Sequence, residues 1–308
     1  MTGTVGPMPY DLLALGETMV ALAPPPGDTM QTAPHLTIDH AGAESNTCVG
    51  LARLGFRVAW ISRLGADTAG DRIVETLGAE GIDMRWVRRD PARPTGLMLK
   101  ERDRVRYYRT GSAASAITPG DLDNVPVRDA RAVLVTGVTA LVGPGPHAAG
   151  LALLSAASGI RIVDPNLRDG LWGSDRRVDL VRTFVERSDF LLTGAGELQE
   201  ILDGRARAVN VSCDEELARR AAAGGPREIV VRSADRVSAL SDGVWRTVAI
   251  ERRASVDPTG AGDAFNAGYI AVRLRGGSID DALRAAVRCG SAVTSATSDT
   301  AGFPRSLA

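Results

Sequence analysis

The sequence predicts an α/β fold, in which a mostly parallel central sheet is covered by helices on both faces and carries a small β lid. Three observations lead there. Six short runs rich in Val, Ile and Leu, at residues 12–16, 58–62, 132–136, 160–164, 190–193 and 229–231, read as strands buried on both faces. Most of them are separated by stretches with helical spacing, the rhythm of strand–helix crossovers. Two irregular stretches, residues 18–41 and 93–111, interrupt that rhythm with short strand-like pieces.

The elements follow in order. Residues 18–41 carry Pro24, Pro25 and Pro26 between strand-like segments, and residues 93–111 hold a polar strand pair around Glu101, Arg102, Asp103 and Arg104. Both are expected to project as a lid above the carboxyl ends of the sheet, where open α/β folds bind ligands. In residues 68–81, Ile73, Val74 and Leu77 share one helical face, Thr68 with Asp71 resembles a capping box, and Gly81 suits the left-handed position after the helix. A second helix starts at Ser278 as N-cap, with Leu283, Ala286, Val287 and Gly290 on one face. Residues 237–248, centred on Asp242-Gly243, read as a hairpin. Internal repeats and low-complexity linkers are not seen.

Composition narrows the function. The 308 residues are 44% hydrophobic, enough for a large core. Lys and Arg total 36 against 37 Asp and Glu, a net charge of -1, which gathers neither nucleic acid nor anionic lipid. Lys100 is the only lysine and Glu101 follows it, so a Walker-type G-x-x-x-x-G-K-[ST] loop is excluded. Cys48, Cys213 and Cys289 are isolated thiols, the pattern of a reduced intracellular chain, and no run approaches the roughly 18 apolar residues of a membrane span. A cytoplasmic protein is expected. His35, His40 and His147 fall in no zinc-hydrolase spacing, and no G-x-S-x-G elbow occurs.

The chemistry concentrates in D-P-T-G-A-G-D-A-F-N-A-G, residues 257–268. Gly260, Ala261 and Gly262 let backbone N–H groups converge, and the apolar-periodic run after Asp263 starts a helix, so unpaired donors and the positive dipole end point at one spot. Such a spot binds an anion. Asp263 would repel a phosphate there unless it accepts a proton from a nucleophile attacking that phosphate, which points to phosphoryl transfer onto a hydroxyl. A bare G-A-G-D is also what a glycine-rich turn with a helix-capping aspartate looks like.

The longer segment resembles the C-terminal signature of the PfkB, or ribokinase-like, carbohydrate kinases, and the resemblance covers nearly the whole chain. Gly16-Glu17, residues 41–46 (A-G-A-E-S-N) leading to Gly55, and residues 65–70 (G-A-D-T-A-G) are similar to the family's N-terminal half in order and spacing. The resemblance implies a three-layer α/β/α ribokinase-like body of residues 8–17, 42–92 and 112–308 with a β lid of residues 18–41 and 93–111. It also implies Asp263 as base, the Gly260-Ala261-Gly262 amides as anion hole, ATP as donor and Mg²⁺ carried with it; no resident metal site is expected.

Within the family the likeness is greatest to 2-keto-3-deoxygluconate kinases, through Y-Y-R-T-G-S-A-A-S at residues 107–115 and D-P-N-L-R at residues 164–168. A planar guanidinium is well shaped to bind a sugar acid's carboxylate in bidentate fashion, so Arg109 and Arg168 are the carboxylate candidates. Tyr107 is expected to pack on and hydrogen-bond the sugar, with Tyr108 on the other strand face as a structural residue. Gly42 allows close backbone approach, and Asn46 offers the sugar hydroxyls both donor and acceptor. The resemblance adds Asn166 and Asp299 to the sugar side. Lys100 reads most simply as a solvated lid residue.

The nucleotide side departs from the family. Its usual K-x-G-x-x-G appears as R-S-A-D-R-V from Arg232, without either glycine, and Ser233 and Ala234 follow as nucleotide contacts; its N-x-x-E appears as G-A-G-E, ending in Glu197. The first glycine of the usual G-G pair is Ala41. The expected activity is an ATP-dependent kinase acting on a primary hydroxyl of a sugar acid. A kinase of a neutral sugar such as fructose or ribose, or of a nucleoside, and a non-catalytic sugar-binding regulator remain open. A small sugar or sugar acid is the expected partner, with a homodimer formed through the lid edge.

Overall fold

The computed structural model describes residues 9–25, 27–101, 105–167, 177–204, 213–250, 260–293 and 298–307. Arg168, Asp257, Pro258, Thr259, Pro26 and the lid residues Arg102, Asp103 and Arg104 lie outside them.

The described strands are β1 Leu12–Leu15, β2 Met19–Ala23, β3 Thr37–Ala41, β4 Val58–Gly65, β5 Val87–Asp90, β6 Leu97–Lys100, β7 Val105–Tyr108, β8 Ala132–Thr136, β9 Ile160–Asp164, β10 Phe190–Gly194, β11 Glu228–Arg232, β12 Arg236–Ser241 and β13 Val244–Ala249. The described α-helices are α1 Ala43–Arg53, α2 Thr68–Ala79, α3 Gly137–Val142, α4 Pro144–Ala156, α5 Val178–Val185, α6 Ala195–Asp203, α7 Asp214–Ala222, α8 Ala261–Leu274 and α9 Ile279–Val293.

Nine strands form the main sheet in the order β13-β12-β11-β10-β9-β8-β1-β4-β5. The run from β11 to β5 is parallel, and β12 and β13 turn back antiparallel. Alternation along each strand sends its side chains to opposite faces. Thus Leu12 and Ala14 join a core with α1, α2, α8 and α9, whereas Leu13 and Leu15 join one with α4, α5, α6 and α7. Three layers result. The β12–β13 hairpin turns on Asp242 and Gly243 with φ of 49° and 76°, the pair of left-handed residues that a type I′ turn needs.

A second sheet, in the order β3-β2-β6-β7, contains the strands of the two irregular stretches. Its β2–β6 pair is parallel and the outer pairs are antiparallel. Met19, Ala21, Ala41 and Met98 make a small apolar cluster on one face, and Val105 and Tyr107 pack against it.

Two local expectations differ from the structure. Helix α2 is capped by Asp67, not Thr68: Asp67 is extended and its carboxylate accepts the Gly70 amide at 2.8 Å, while Thr68 is already helical. Asp67 also accepts from the Thr95 amide and hydroxyl, tying α2 to the approach of β6. Helix α8 starts at Ala261, ahead of Asp263, because Gly260 takes the N-cap position. Ser278 behaves as expected, with its hydroxyl accepting the Asp281 amide at the start of α9.

Candidate active site

Parallel strands bring their carboxyl ends to one edge of the sheet, and the polar side chains gather there. Glu17 follows β1, Thr136 ends β8, Asp164 ends β9, Glu197 lies in the first turn of α6 after β10, and Arg232 ends β11. Strand β1 pairs with β4 on one side and β8 on the other, so the connections diverge beside it, the geometry that opens a crevice in doubly wound sheets. Glu44 of α1 is fully buried in this region and accepts from the Thr136 amide and hydroxyl and the Thr139 hydroxyl. Burial pushes its carboxyl above the usual range.

The glycine-rich turn has the backbone geometry expected of an anion site. Gly260 has φ of +81°, and a Cβ there would come within 2.1 Å of the Asp299 carbonyl oxygen, so only glycine fits. The first helical bond runs from the Ala264 amide to the Gly260 carbonyl, which places the Ala261, Gly262 and Asp263 amides ahead of the helical ladder. Asp263 is 4% exposed, and Asn46 of α1 donates to its Oδ2 at 2.8 Å. The other amide atom of Asn46, Oδ1, is buried and lacks a hydrogen-bond partner. Helices α1 and α8 approach closely enough that a Cβ on Gly50 would meet that of Ala267 at 2.5 Å, which is how the two residues reach each other.

On the nucleotide side, a cleft of about 560 Å³ is lined by Gly194, Ala195, Gly196, Glu197, Arg232, Ser233 and Ala234, with Asp214, Asp235 and Arg236 at its border. Arg232 donates to Asn266 Oδ1 at 2.8 Å, and its Nη2 stands 3.4 Å from Asp164 Oδ2 and 3.7 Å from Glu197 Oε2. Asn266 donates in turn to Asp164 at 2.6 Å. Burial opposes the Arg232 charge, but Asp164 and Glu197 outweigh it and hold the guanidinium protonated. The Glu197 carboxyl is pushed up by burial and by the Asp164 charge, against the pull of Arg232 and the Gly194 and Leu167 amides it accepts from. Ser233 donates to Asp214 and Ala234 is exposed in the tight turn before β12. Among the described residues, no group of three or more His, Cys, Asp and Glu side chains is placed to hold a metal ion.

The sugar-side residues sort differently from expectation. Gly42 is the N-cap of α1, but a Cβ there would strike the Glu17 carbonyl at 2.4 Å, so the close approach that demands glycine is made by the chain itself. Arg109 does not stand free for a carboxylate: its guanidinium forms an ion pair with buried Glu17, which also accepts from Ser112. Tyr107 is half-buried, 5.7 Å beneath that guanidinium. Tyr108 lies on the opposite face of edge strand β7 from Tyr107, as expected, and is 57% exposed there. Asn166 is buried with φ of +42°, a left-handed backbone state that Asn adopts more readily than most L-residues. Lys100, expected to be solvated, pairs instead with buried Asp299.

Sequence reasoning overlooked Glu17, Glu44, Asp164 and Asn266 as members of this cluster. All four stand in or beside the motifs it used, and only their burial distinguishes them.

A family model described as pfkB family carbohydrate kinase matches residues 10–305. The chain belongs to the pfkB family of carbohydrate kinases. This pfkB kinase is 31% identical to 2-dehydro-3-deoxygluconokinase of Thermoproteus tenax over 95% of its own length and 91% of that protein. It is 30% identical to 2-dehydro-3-deoxygalactonokinase of Haloferax volcanii, covering 90% of the chain and 88% of that protein. The crystal structure of a PfkB protein from Polaromonas sp. JS666 superposes with a TM-score of 0.82 at 30% identity, over 97% of this chain and 98% of that one. A putative ribokinase II from E. coli in complex with ATP and Mg²⁺ shares the fold with a TM-score of 0.86 at 22% identity, over 97% and 96% of the two chains. The pfkB kinase is an ATP-dependent carbohydrate kinase with a ribokinase-like α/β fold. No described helix is long and apolar enough to cross a membrane.

Proposed function

We propose that this kinase phosphorylates a primary hydroxyl of a sugar acid, with 2-keto-3-deoxygluconate as the first candidate. The observation that carries it is the convergence of Asp263, positioned by Asn46, with the Ala261 and Gly262 amides at the start of α8. Asp263 accepts the hydroxyl proton as the bond to phosphorus forms, and the amides offset charge on the phosphoryl oxygens. The Gly194–Arg232 cleft holds ATP, with Glu197, Arg232, Ser233 and Ala234 as its contacts. Magnesium carried with ATP supplies further charge neutralisation, and the described carboxylates offer it no ready cage.

Sugar selection falls to Asn46, Tyr107, Asn166, Arg168 and Asp299, with Gly42 shaping the wall. The β3-β2-β6-β7 sheet, residues 18–41 and 93–111, acts as lid over the body of residues 8–17, 42–92 and 112–308, and its closure excludes water as a rival acceptor. The exposed edge strands β3 and β7, carrying Ile38 and Tyr108, pair two lids in a homodimer, which light scattering would test. The likeness to kinases of 2-dehydro-3-deoxy sugar acids supports the acceptor class. One observation favours a neutral acceptor instead: Arg109 already has a carboxylate partner in Glu17.

A coupled ADP-release assay over 2-keto-3-deoxy sugar acids, hexoses, pentoses and nucleosides tests the proposal. Preference for a sugar acid, with a KM raised at least tenfold by Arg168→Ala, is expected. A neutral sugar turned over equally well by wild type and variant would reject it. The intact anion-binding turn argues against a non-catalytic regulator.

A further inference from the structure

Arg232 has more anionic neighbours than a residue lining a nucleotide cleft needs. Its side chain is 20% exposed, yet its guanidinium touches three separate elements at the carboxyl edge: Asp164 at the end of β9, Glu197 at the start of α6, and Asn266 in the first turns of α8. The Phe265 ring lies 5.6 Å away. A Cβ added to Gly262 would stand 3.9 Å from its Nη1, so the guanidinium is in van der Waals range of the anion-binding turn.

A guanidinium has five N–H donors, and the contacts to Asn266 and Asp164 engage only part of that fork. The same side chain lines the open cleft between Gly194 and Arg236. A phosphate chain entering the cleft toward the Ala261 and Gly262 amides therefore meets a cation already fixed in orientation. Two physical problems are answered together. The site holds Asp164, Glu197 and Asp263 beside a place for a phosphate, and an uncompensated cluster of that kind would repel the ligand. A cation held by second-row carboxylates is also preorganised, and it stabilises developing charge without reorganising during the reaction.

We propose that Arg232 is a catalytic residue of the transfer step: it contacts the transferring phosphoryl group together with the α8 amides, and Asp164, Glu197 and Asn266 aim it. This rests on the kinase reading. In that step the bond from phosphorus to the bridging oxygen of ADP breaks, a bond from phosphorus to the sugar oxygen forms, and the hydroxyl proton passes to Asp263. Arg232 takes no proton; it follows the negative charge from the γ-phosphoryl oxygens to the β-phosphate.

The test compares Arg232→Met, Arg232→Lys and the charge-balanced Arg232→Met/Asp164→Asn with wild type, each checked for native fold by circular dichroism. Calorimetric titrations with ADP and with adenosine are run on every protein, and kcat is measured where an acceptor turns over. The expected result is an ADP affinity weakened about tenfold or more in both methionine variants with adenosine binding unchanged. The accompanying kcat loss is ~10²–10³-fold, partly restored in Arg232→Lys. An ADP affinity in the folded double variant equal to wild type, or ADP and adenosine weakened alike, would overturn the assignment and leave Arg232 a structural residue. Should wild type phosphorylate no acceptor, the kinase reading fails, and the ADP-to-adenosine comparison still decides whether Arg232 binds phosphate.

Discussion

Asn46 and Asp263 are 217 positions apart in the chain and share a 2.8 Å hydrogen bond. The bond joins the first turns of α1 and α8. For the base role proposed for Asp263, a neutral amide donor is suitable: it fixes the carboxylate without transferring a proton or cancelling the charge. Its partner oxygen, Asn46 Oδ1, is buried with no hydrogen-bond partner, as a contact for the proposed sugar hydroxyl requires.

Asp263→Asn keeps shape and removes basicity. Turnover is expected to fall by ~10³-fold or more, within the range for loss of a general base, while calorimetry still detects sugar binding. Asn46→Ala loosens the same carboxylate, with an expected kcat loss of roughly ten- to a hundredfold. Retained turnover in Asp263→Asn would remove the aspartate from the mechanism.

Gly260→Ala adds a methyl where the Asp299 carbonyl lies 2.1 Å away, at a backbone angle unfavourable to L-residues. The left-handed conformation alone costs about 1–2 kcal/mol, and relief of the clash moves the turn. Melting is expected to drop by a few degrees, with ADP binding weakened more than that loss explains. A variant with wild-type melting temperature and ADP affinity would show that the turn tolerates a side chain.

Glu44 gives a pH-dependent prediction. Its folded-state carboxyl is raised by burial above its unfolded value, so the stability it contributes is fully present below the unfolded pKa and is lost as pH rises through the folded one. Glu44→Gln imitates the protonated form and lacks that loss. Relative to wild type, its melting temperature should therefore be higher at pH 8 than at pH 5. Parallel melting curves across that interval would contradict the assignment.

The Glu17–Arg109 pair is 2% and 10% exposed at its side chains. Removing either partner leaves a buried charge, and Glu17→Gln or Arg109→Met alone should cost about 3–5 kcal/mol. The double variant should regain most of that stability. Denaturant unfolding of the four proteins checks the cycle, and additive losses would mean the pair is not coupled.

Much of the fold was legible because burial on both faces writes continuous apolar runs. Residues 132–136 and 160–164 are strands β8 and β9 with the same limits, and Asp242-Gly243 is the hairpin turn. Strand β5, V-R-R-D at the sheet edge, was not legible, since two exposed arginines hide its pairing with β4. In the site, the G-A-G-D turn announced itself through local spacing. The partners did not: Asn46 meets Asp263, and Arg109 meets Glu17, only after α1, α8 and the lid have docked. An arginine in sequence carries its charge but not the identity of the carboxylate that claims it.

Because Lys100 is the single lysine, strand β6 carries the one side-chain amine of the sequence, set in a bridge to Asp299. Apart from the chain's own α-amine, reagents that attach to amines have one side chain to find. An isotopic methyl or a dye placed there reports from a strand of the smaller sheet, so any change in that sheet on ligand binding can be followed without engineering a new reactive position into the protein.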